Sequence, residues 1–150
     1  MSRNYVQGKY TPKNPARYRG DPSNIVYRSS WELRCIKYFD DHPGIIWWSS
    51  EEVIIPYRDP VDNRRRRYYP DFVIRMIDNT GKKKTVMIEI KPQYQKDGPK
   101  AQKRKTKKYI NEVYTYAVNQ AKWKAAVEFC NDNMIEFKII TEDELYHWKK

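Results

Sequence analysis

The chain has 150 residues, of which 39% are hydrophobic and 15% aromatic, a composition that fits one folded domain and excludes a disordered chain. Its 30 Lys and Arg residues against 19 Asp and Glu residues give a formal charge of +11. This excess predicts binding to a polyanion, with nucleic acid as the first candidate. The alternative is that the charge only keeps the protein soluble. The sequence has no apolar run of 18 residues and no signal-peptide pattern, so we expect a protein that neither enters a membrane nor is exported.

The first 24 residues are rich in Pro, Gly, Asn, Arg and Tyr and show no periodicity. This composition predicts an extended basic N-terminal arm over residues 1–24, ahead of a single domain over residues 25–150. A disordered tail and an arm that contacts DNA or a partner protein are both consistent with it.

Hydrophobic periodicity and turn residues define the elements of the domain. The predicted elements are a helix over 29–41, strands within 45–57, a polar loop over 58–67, strands over 69–77 and 84–91 around a turn at 78–81, a basic loop over 92–108, a helix over 109–131 and a strand over 136–140. Thr141-x-x-Glu144 has the form of a capping box that opens a last helical turn. The order α-β-β-β-α-β-α predicts an α/β fold.

Charged side chains lie on the two middle strands, which are otherwise apolar. Side chains alternate along a strand, so Glu89 and Lys91 share one face of their strand. If the hairpin is centred on Thr80, paired residue numbers sum to 160 and Asp71 faces Glu89. Opposed carboxylates repel each other unless a cation or a proton intervenes. Two oxygen ligands so placed suit Mg²⁺, which takes one or two carboxylates with water and phosphate.

A third acid, Glu32, falls inside the apolar arc of the first predicted helix, whereas Arg34 and Lys37 lie on the other side. An acid that points inward needs a partner. Ser29-x-x-Glu32 is a good capping box, which gives Glu32 a purely structural role. The alternative, which we prefer, is a carboxylate directed at the sheet that already holds two others.

The segment Tyr69-Pro70-Asp71 followed by Ile88-Glu89-Ile90-Lys91-Pro92, downstream of a helical Glu32, closely resembles the PD-(D/E)XK nuclease superfamily. Either short motif alone occurs by chance in many proteins, but both on adjacent strands form a specific signal. The resemblance spans roughly residues 29–140. It implies a restriction-endonuclease-like core, with a mixed central sheet flanked by helices, and a DNA endonuclease that uses Mg²⁺ or Mn²⁺.

The resemblance also implies a role for each matching residue. Asp71, Glu89 and the backbone carbonyl of Ile90 would hold the metal, and Glu32 would hold it directly or through water. Lys91 would orient or help to deprotonate the attacking water and offset charge in the transition state. An ion pair with Glu89 is the alternative for Lys91.

The long predicted helix adds one more candidate. Its predicted apolar stripe includes Val113, Trp123, Val127 and Cys130. Gln120 falls within that stripe, whereas Lys122 points away. Some branches of the superfamily place a Gln or Lys here, facing the active site, so the resemblance makes Gln120 a catalytic candidate. A core amide with satisfied hydrogen bonds is the alternative.

Two basic tracts flank the middle strands, Arg64-Arg65-Arg66-Arg67 and Lys103-Arg104-Lys105. Their position predicts contact with DNA phosphates, with a solvated run of charge as the alternative. Three tyrosines could stack on exposed bases or lie half-buried on strands, namely Tyr68, Tyr69 and Tyr94.

Longer stretches resemble the head-completion nucleases of T-even-type tailed phages. The matching stretches include Tyr10-Thr11-Pro12-Lys13-Asn14-Pro15, Ser29-Ser30-Trp31-Glu32 and Ile55-Pro56-Tyr57. This resemblance implies a phage protein in the host cytoplasm or on the phage head, acting late in head completion and DNA packaging and in contact with head or portal proteins. The alternatives are a transposase-associated endonuclease and a non-catalytic head protein that binds DNA or the portal.

Overall fold

The computed structural model describes residues 7–147 of the chain, with side chains to residue 145. Its elements are β1 (Gly8–Lys9), a 3-10 turn (Pro15–Arg17), β2 (Val26–Tyr27), α1 (Ser30–Asp41), β3 (Ile45–Ser50), β4 (Ile55–Arg58), β5 (Arg65–Tyr68), β6 (Phe72–Ile77), β7 (Lys83–Ile90), α2 (Gln93–Asp97), α3 (Lys107–Asp132), β8 (Glu136–Ile140) and α4 (Glu142–His147). Within this part of the chain, no helix is both long and apolar enough to cross a bilayer.

The central sheet has the strand order β3-β6-β7-β8. β6 is antiparallel to both β3 and β7, whereas β7 and β8 are parallel. A tight turn joins β6 to β7, but parallel strands require a long crossover, which here runs through α2 and α3. β1–β2 and β4–β5 form two small antiparallel pairs beside the sheet. The mixed sheet with flanking helices confirms the predicted α/β fold.

Alternate residues of β6 and β7 pack into different hydrophobic clusters, because successive side chains of a strand point to opposite faces. On one face Phe72 and Ile88 pack with residues of α1 such as Phe39. On the other face Val73 and Met87 pack with residues of α3 such as Trp123. Each fully buried large apolar side chain contributes about 1.5–3 kcal/mol. The two clusters therefore fix α1 and α3 on opposite faces of the sheet.

The β6–β7 hairpin has the predicted register. Phe72 pairs with Ile88 and Ile77 with Lys83, so paired residue numbers sum to 160, as predicted. In the turn, the Asp78 carboxylate accepts hydrogen bonds from the backbone N–H groups of Thr80 (2.9 Å) and Lys82 (3.0 Å). Gly81 has a φ of +84°, which side-chain-bearing residues rarely adopt. The turn residues thus hold the register.

Several element boundaries differ from the prediction. The loop predicted over 58–67 ends early, because Arg65–Tyr68 form a strand that pairs with β4. The strand predicted from Tyr69 begins only at Phe72, after a proline that cannot donate to a ladder. The basic loop predicted over 92–108 contains the short helix Gln93–Asp97. Helix propensity within a charged segment was too weak a signal to reveal it.

Residues 7–24, predicted as an extended arm, pack against the end of α1. The hydroxyl of Tyr10 donates to the buried carboxylate of Asp40 at 2.6 Å, and the backbone N–H of Lys13 donates to it at 2.7 Å. The guanidinium of Arg17 donates to the carbonyl oxygens of Phe39, Asp40, His42 and Ile45 at 2.5–3.0 Å. Carbonyls at a helix C-terminus lack partners and carry partial negative charge, so Arg17 stabilises this end of α1. Residues 1–6 of the predicted arm lie outside the described residues.

Arg17→Ala should therefore lower the free energy of unfolding by about 2 kcal/mol, because several carbonyl groups lose a charged donor. Urea denaturation followed by tryptophan fluorescence measures the change. Lys37→Ala, at an exposed position of α1, is the control. Its free energy of unfolding should stay within about 0.5 kcal/mol of the wild-type value. Equal effects of the two substitutions would contradict the role given to Arg17.

Candidate active site

Asp71 lies immediately before β6, beside the end of β7. Its Oδ2 accepts a hydrogen bond of 2.7 Å from the backbone N–H of Ile90. Extending the β6–β7 ladder by one pair beyond Phe72 and Ile88 places Asp71 opposite Glu89. The structure therefore brings Asp71 to the Glu89–Lys91 segment.

The surroundings of Asp71 disfavour its charged form. Burial raises the pKa of Asp71 well above its ordinary value, and the negative charges of Glu89 and Glu32 raise it further. The Ile90 N–H and the ammonium of Lys91 act in the opposite direction without cancelling the shift. A carboxylate so placed is stabilised by a proton or by a bound cation.

Glu89 is the second acid of the site and is 5% exposed. The hydroxyl of Tyr68 donates to its Oε1 at 2.7 Å, and the Nζ of Lys91 lies 3.9 Å from its Oε2. Burial raises the pKa of Glu89, whereas the Tyr68 hydrogen bond and the charges of Lys91 and Lys122 lower it. The two carboxylate oxygens thus have different surroundings, because Oε1 accepts the Tyr68 hydrogen bond and Oε2 faces Lys91.

Lys91 forms the ion pair with Glu89 that was the alternative to a catalytic role, but at 3.9 Å its ammonium is beyond hydrogen-bonding distance. The backbone N–H of Lys91 donates to the carbonyl oxygen of Ile140 at 3.0 Å, but among the residues described its ammonium donates no hydrogen bond. The ammonium donors are therefore available to a phosphate oxygen or a water.

Glu32 has the capping role considered from the sequence, whereas its role as a metal ligand stays a prediction. The hydroxyl of Ser29 accepts a hydrogen bond from the Glu32 backbone N–H (3.1 Å) and donates to its Oε2 (3.2 Å), as in a capping arrangement. Burial raises the pKa of Glu32, and the negative charge of Glu32 in turn raises the pKa of Asp71. Glu32 therefore caps α1 and also contributes negative potential at Asp71.

Across residues 7–145, whose side chains the structure describes, no three acidic, histidine or cysteine side chains gather into a complete metal site. A hard cation such as Mg²⁺ does not require one, because one or two carboxylates with water and substrate oxygens suffice. The half-buried Asp71, the buried Glu89 and the Ile90 carbonyl are oxygen donors of this kind. These residues fit such an ion.

The orientation of α3 differs from the prediction. Its buried residues are Asn119, Trp123, Ala126 and Cys130. The predicted stripe included Val113 and Val127, but both residues are exposed. The predicted buried face of α3 is therefore rotated relative to the observed one.

As a result, Gln120 is exposed and lines a surface depression with Trp123 and Phe137, so its predicted inward orientation is wrong. Lys122, predicted to point away, lies with its Nζ 5.8 Å from the ring centres of Tyr57 and Tyr68. Burial and the charge of Lys91 lower the pKa of Lys122, whereas Glu89 raises it. The assignment of Gln120 as a catalytic residue stays a prediction.

Sequence reasoning also missed an ion pair at the edge of the site. Arg28, just before α1, pairs with Glu51. The N–H of Glu51 donates to the carbonyl oxygen of Asp71 at 3.1 Å, and Glu51 has a φ of +54°, which is uncommon outside glycine. Glu51 raises the pKa of Glu32 and Arg28 lowers it. No sequence pattern predicts the uncommon backbone conformation of Glu51.

The basic tracts are exposed, and one of their residues is already paired with acids of the protein. The guanidinium of Arg66 pairs with Asp59 (2.9 Å) and with Asp62, which neutralises its charge within the protein. The tract residues without such an ion pair are Arg64, Arg65, Arg67, Lys103, Arg104 and Lys105. Their contact with DNA stays a prediction.

Residues 42–142, which include Asp71, Glu89 and Lys91, match the family model described as the TnsA-like endonuclease N-terminal domain. The chain thus belongs to the TnsA-like endonuclease family. This agrees with the resemblance of its sequence to the PD-(D/E)XK nucleases. It is also 42% identical over 142 residues to the head completion nuclease of Enterobacteria phage T4, and the alignment covers 92% of each protein. Both predicted resemblances are confirmed. No solved structure gave a significant match.

Asp71→Asn should raise the free energy of unfolding of the metal-free protein at neutral pH. A raised pKa in the folded state means that the ionised carboxylate destabilises the fold by about 1.4 kcal/mol per pKa unit. This cost is absent below the unfolded pKa of about 3.9 and grows as pH rises toward the folded pKa. The gain from Asp71→Asn should therefore disappear in acid. Urea denaturation in EDTA across pH measures it.

Asp78→Asn is the matched control with the opposite sign. Hydrogen bonds from Thr80 and Lys82 lower the pKa of Asp78, so its ionised form stabilises the hairpin turn. Asp78→Asn should therefore reduce stability at neutral pH. A loss of stability in Asp71→Asn as well would contradict the electrostatic account of the site.

Proposed function

We propose that this protein is a metal-dependent DNA endonuclease that hydrolyses phosphodiester bonds and acts in phage head completion and DNA packaging. The observation that carries the proposal is the half-buried Asp71, hydrogen-bonded to Ile90 between Glu89 and Lys91. A pair of acids whose charges repel, beside an ammonium group with free donors, is suited to binding a cation and a phosphate together.

In this proposal Asp71, Glu89 and the Ile90 carbonyl would hold Mg²⁺ or Mn²⁺, and Glu32 would contribute directly or through water. When bound, the cation polarises the scissile phosphate and lowers the pKa of a coordinated water. Lys91 donates to the phosphate oxygens, where negative charge develops in the transition state.

Tyr68 and Lys122 support Glu89 from the α3 side of the sheet. The hydrogen bond from Tyr68 fixes the orientation of the carboxylate through Oε1. The charges of Lys91 and Lys122 favour the ionised form that a metal requires. Outer groups of this kind orient ligands and tune their basicity.

The formal charge of +11 and the exposed basic tracts support DNA as the substrate. The relation to the phage T4 protein supports a role in head completion, which would place this protein in the host cytoplasm or on the phage head, in contact with head or portal proteins. Because that alignment covers 92% of both chains, we favour the phage role over that of a transposase-associated endonuclease.

The wild-type protein should cut plasmid DNA with Mg²⁺ or Mn²⁺ and not with EDTA. Asp71→Asn should abolish cutting, because the charge that anchors a hard cation is lost. DNA binding should persist or improve, since one negative charge facing the phosphate has gone. Agarose gels and filter binding measure the two properties.

A structural head protein gives a different outcome. Cleavage assays should then show no metal-dependent product on linear, circular, nicked or branched DNA, and phage that carry Asp71→Asn should complete their heads. Both results together would exclude the nuclease.

Lys122→Met should reduce cleavage by roughly 10- to 100-fold, as is typical for groups that support a metal ligand. Loss of its charge should raise the pKa of Glu89, so the acidic limb of the pH–rate profile should move to higher pH. Lys124→Met, at an exposed position of the same helix, is the control. Identical pH profiles for the two variants would remove Lys122 from the site.

A further inference from the structure

A cavity of about 730 Å³ lies between α2, the loop that follows it and the first half of α3. Its volume is within the range of roughly 300–1,000 Å³ that is usual for small-ligand sites. The cavity is lined by aromatic, charged and amide side chains, which include Tyr94, Asp97, Lys108, Glu112, Tyr116 and Asn119. Asp71, Glu89 and Lys91 do not line it, so it is separate from the metal-binding residues proposed above.

Asn119 marks the inner wall of the cavity. Its side chain is 4% exposed, and within the described part of the chain its Nδ2 has no hydrogen-bond partner. Buried amide groups are nearly always hydrogen-bonded, so an unpaired one calls for a ligand acceptor. The carboxamide of asparagine has both donor and acceptor atoms, and this pattern matches the edge of a nucleobase.

Two tyrosines provide aromatic surface. Tyr94 is 67% exposed at the rim, where water now covers a large ring. Tyr116 forms part of the wall and is held close to Gly98, since a Cβ at that position would lie 2.7 Å from its ring. Gly98 also has a φ of +85°, so the close packing of loop and helix depends on glycine. Aromatic side chains bind unpaired bases by stacking.

The charges around the cavity distinguish a base from a phosphate. Lys100 and Lys108 are balanced by Asp97 and Glu112, so the lining has no net charge. A lining without net charge gives a phosphate no net attraction, whereas a nucleobase is neutral and needs none. The exposed tract Lys103–Lys105 in the adjoining loop is available to the phosphates of the same strand.

The cavity is close to the carboxylates along the chain. Tyr94 follows Glu89 by five residues, so their Cα atoms are at most about 18 Å apart. At 3.4 Å per stacked nucleotide, this is roughly five nucleotides or fewer. A strand cut at Glu89 can therefore place a nearby base in the cavity.

We propose that this cavity receives an unpaired nucleobase of the DNA, stacked on Tyr94 and hydrogen-bonded to Asn119, near the point of cleavage. The inference rests on the proposed nuclease function and specifies its substrate class. DNA with unpaired bases, such as single-stranded, mismatched or branched DNA, binds in preference to perfect duplex.

The test is binding in EDTA, where no cleavage occurs. Oligonucleotides carry 2-aminopurine at an unpaired position or at the same position in a perfect duplex. The wild type should bind the unpaired form more tightly and quench its fluorescence. Tyr94→Ala should weaken binding of the unpaired form about fivefold or more, and Tyr94→Phe should restore it, because stacking needs the ring and not the hydroxyl.

Tyr114→Ala is the matched control. Tyr114 is also an exposed tyrosine, on α3, and it does not line the cavity. It should leave affinity for both DNA forms unchanged. Asn119→Leu fills the wall without a donor and should also reduce the preference for unpaired bases.

Two results would overturn the inference: equal binding of both DNA forms by the wild type, or equal losses in Tyr94→Ala and Tyr114→Ala. The cleavage assay on plasmid DNA reports separately on the nuclease function. Cleavage without a preference for unpaired bases removes the base-binding cavity alone, whereas that preference without metal-dependent cleavage removes the nuclease alone.

Discussion

The hydrogen bond from the Ile90 N–H to the carboxylate of Asp71 joins the start of β6 to the end of β7, and the site is arranged around it. It holds a half-buried acid next to Glu89, whose negative charge disfavours the ionised form of Asp71. The hydrophobic clusters on the two faces of the sheet fix the strands rigidly enough to maintain this unfavourable contact. The protein thus gives up stability locally in a way that a bound cation would relieve.

Residues from both layers converge on this point. α1 contributes Glu32, and α3 contributes Lys122 beside Tyr68. Tyr68 also belongs to the hydrophobic cluster under α3, so packing of that helix and orientation of Glu89 are coupled through one ring. Although the site is small, it therefore depends on the sheet and on the helices that cover its two faces.

The sequence predicted those parts of the structure that depend on local chemistry. Turn residues at Asp78 and Gly81 and the two-residue period of the strands fixed the register, and with it the approach of Asp71 to Glu89. The helix beginning at Ser30 and the strand Glu136–Ile140 followed from caps and periodicity. The family resemblance depended on the same residues.

Other features depend on tertiary packing and could not be predicted. The buried face of α3 was misplaced, because the exposed Val113 and Val127 resemble core residues in the sequence. The strand Arg65–Tyr68 was hidden by its charge, and only its pairing with β4 makes it regular. The hydrogen bond of Tyr68 to Glu89 joins residues 21 positions apart on different strands, and no periodicity reports it.

Asp71 and Glu89 are proposed to form a cation site. Thermal unfolding in increasing Mn²⁺ measures it directly, since a ligand that binds only the folded protein raises the melting temperature with its concentration. The account predicts a progressive rise for the wild type and none for Asp71→Asn. A wild-type melting temperature that does not respond to Mn²⁺, or an equal rise in both proteins, would contradict it.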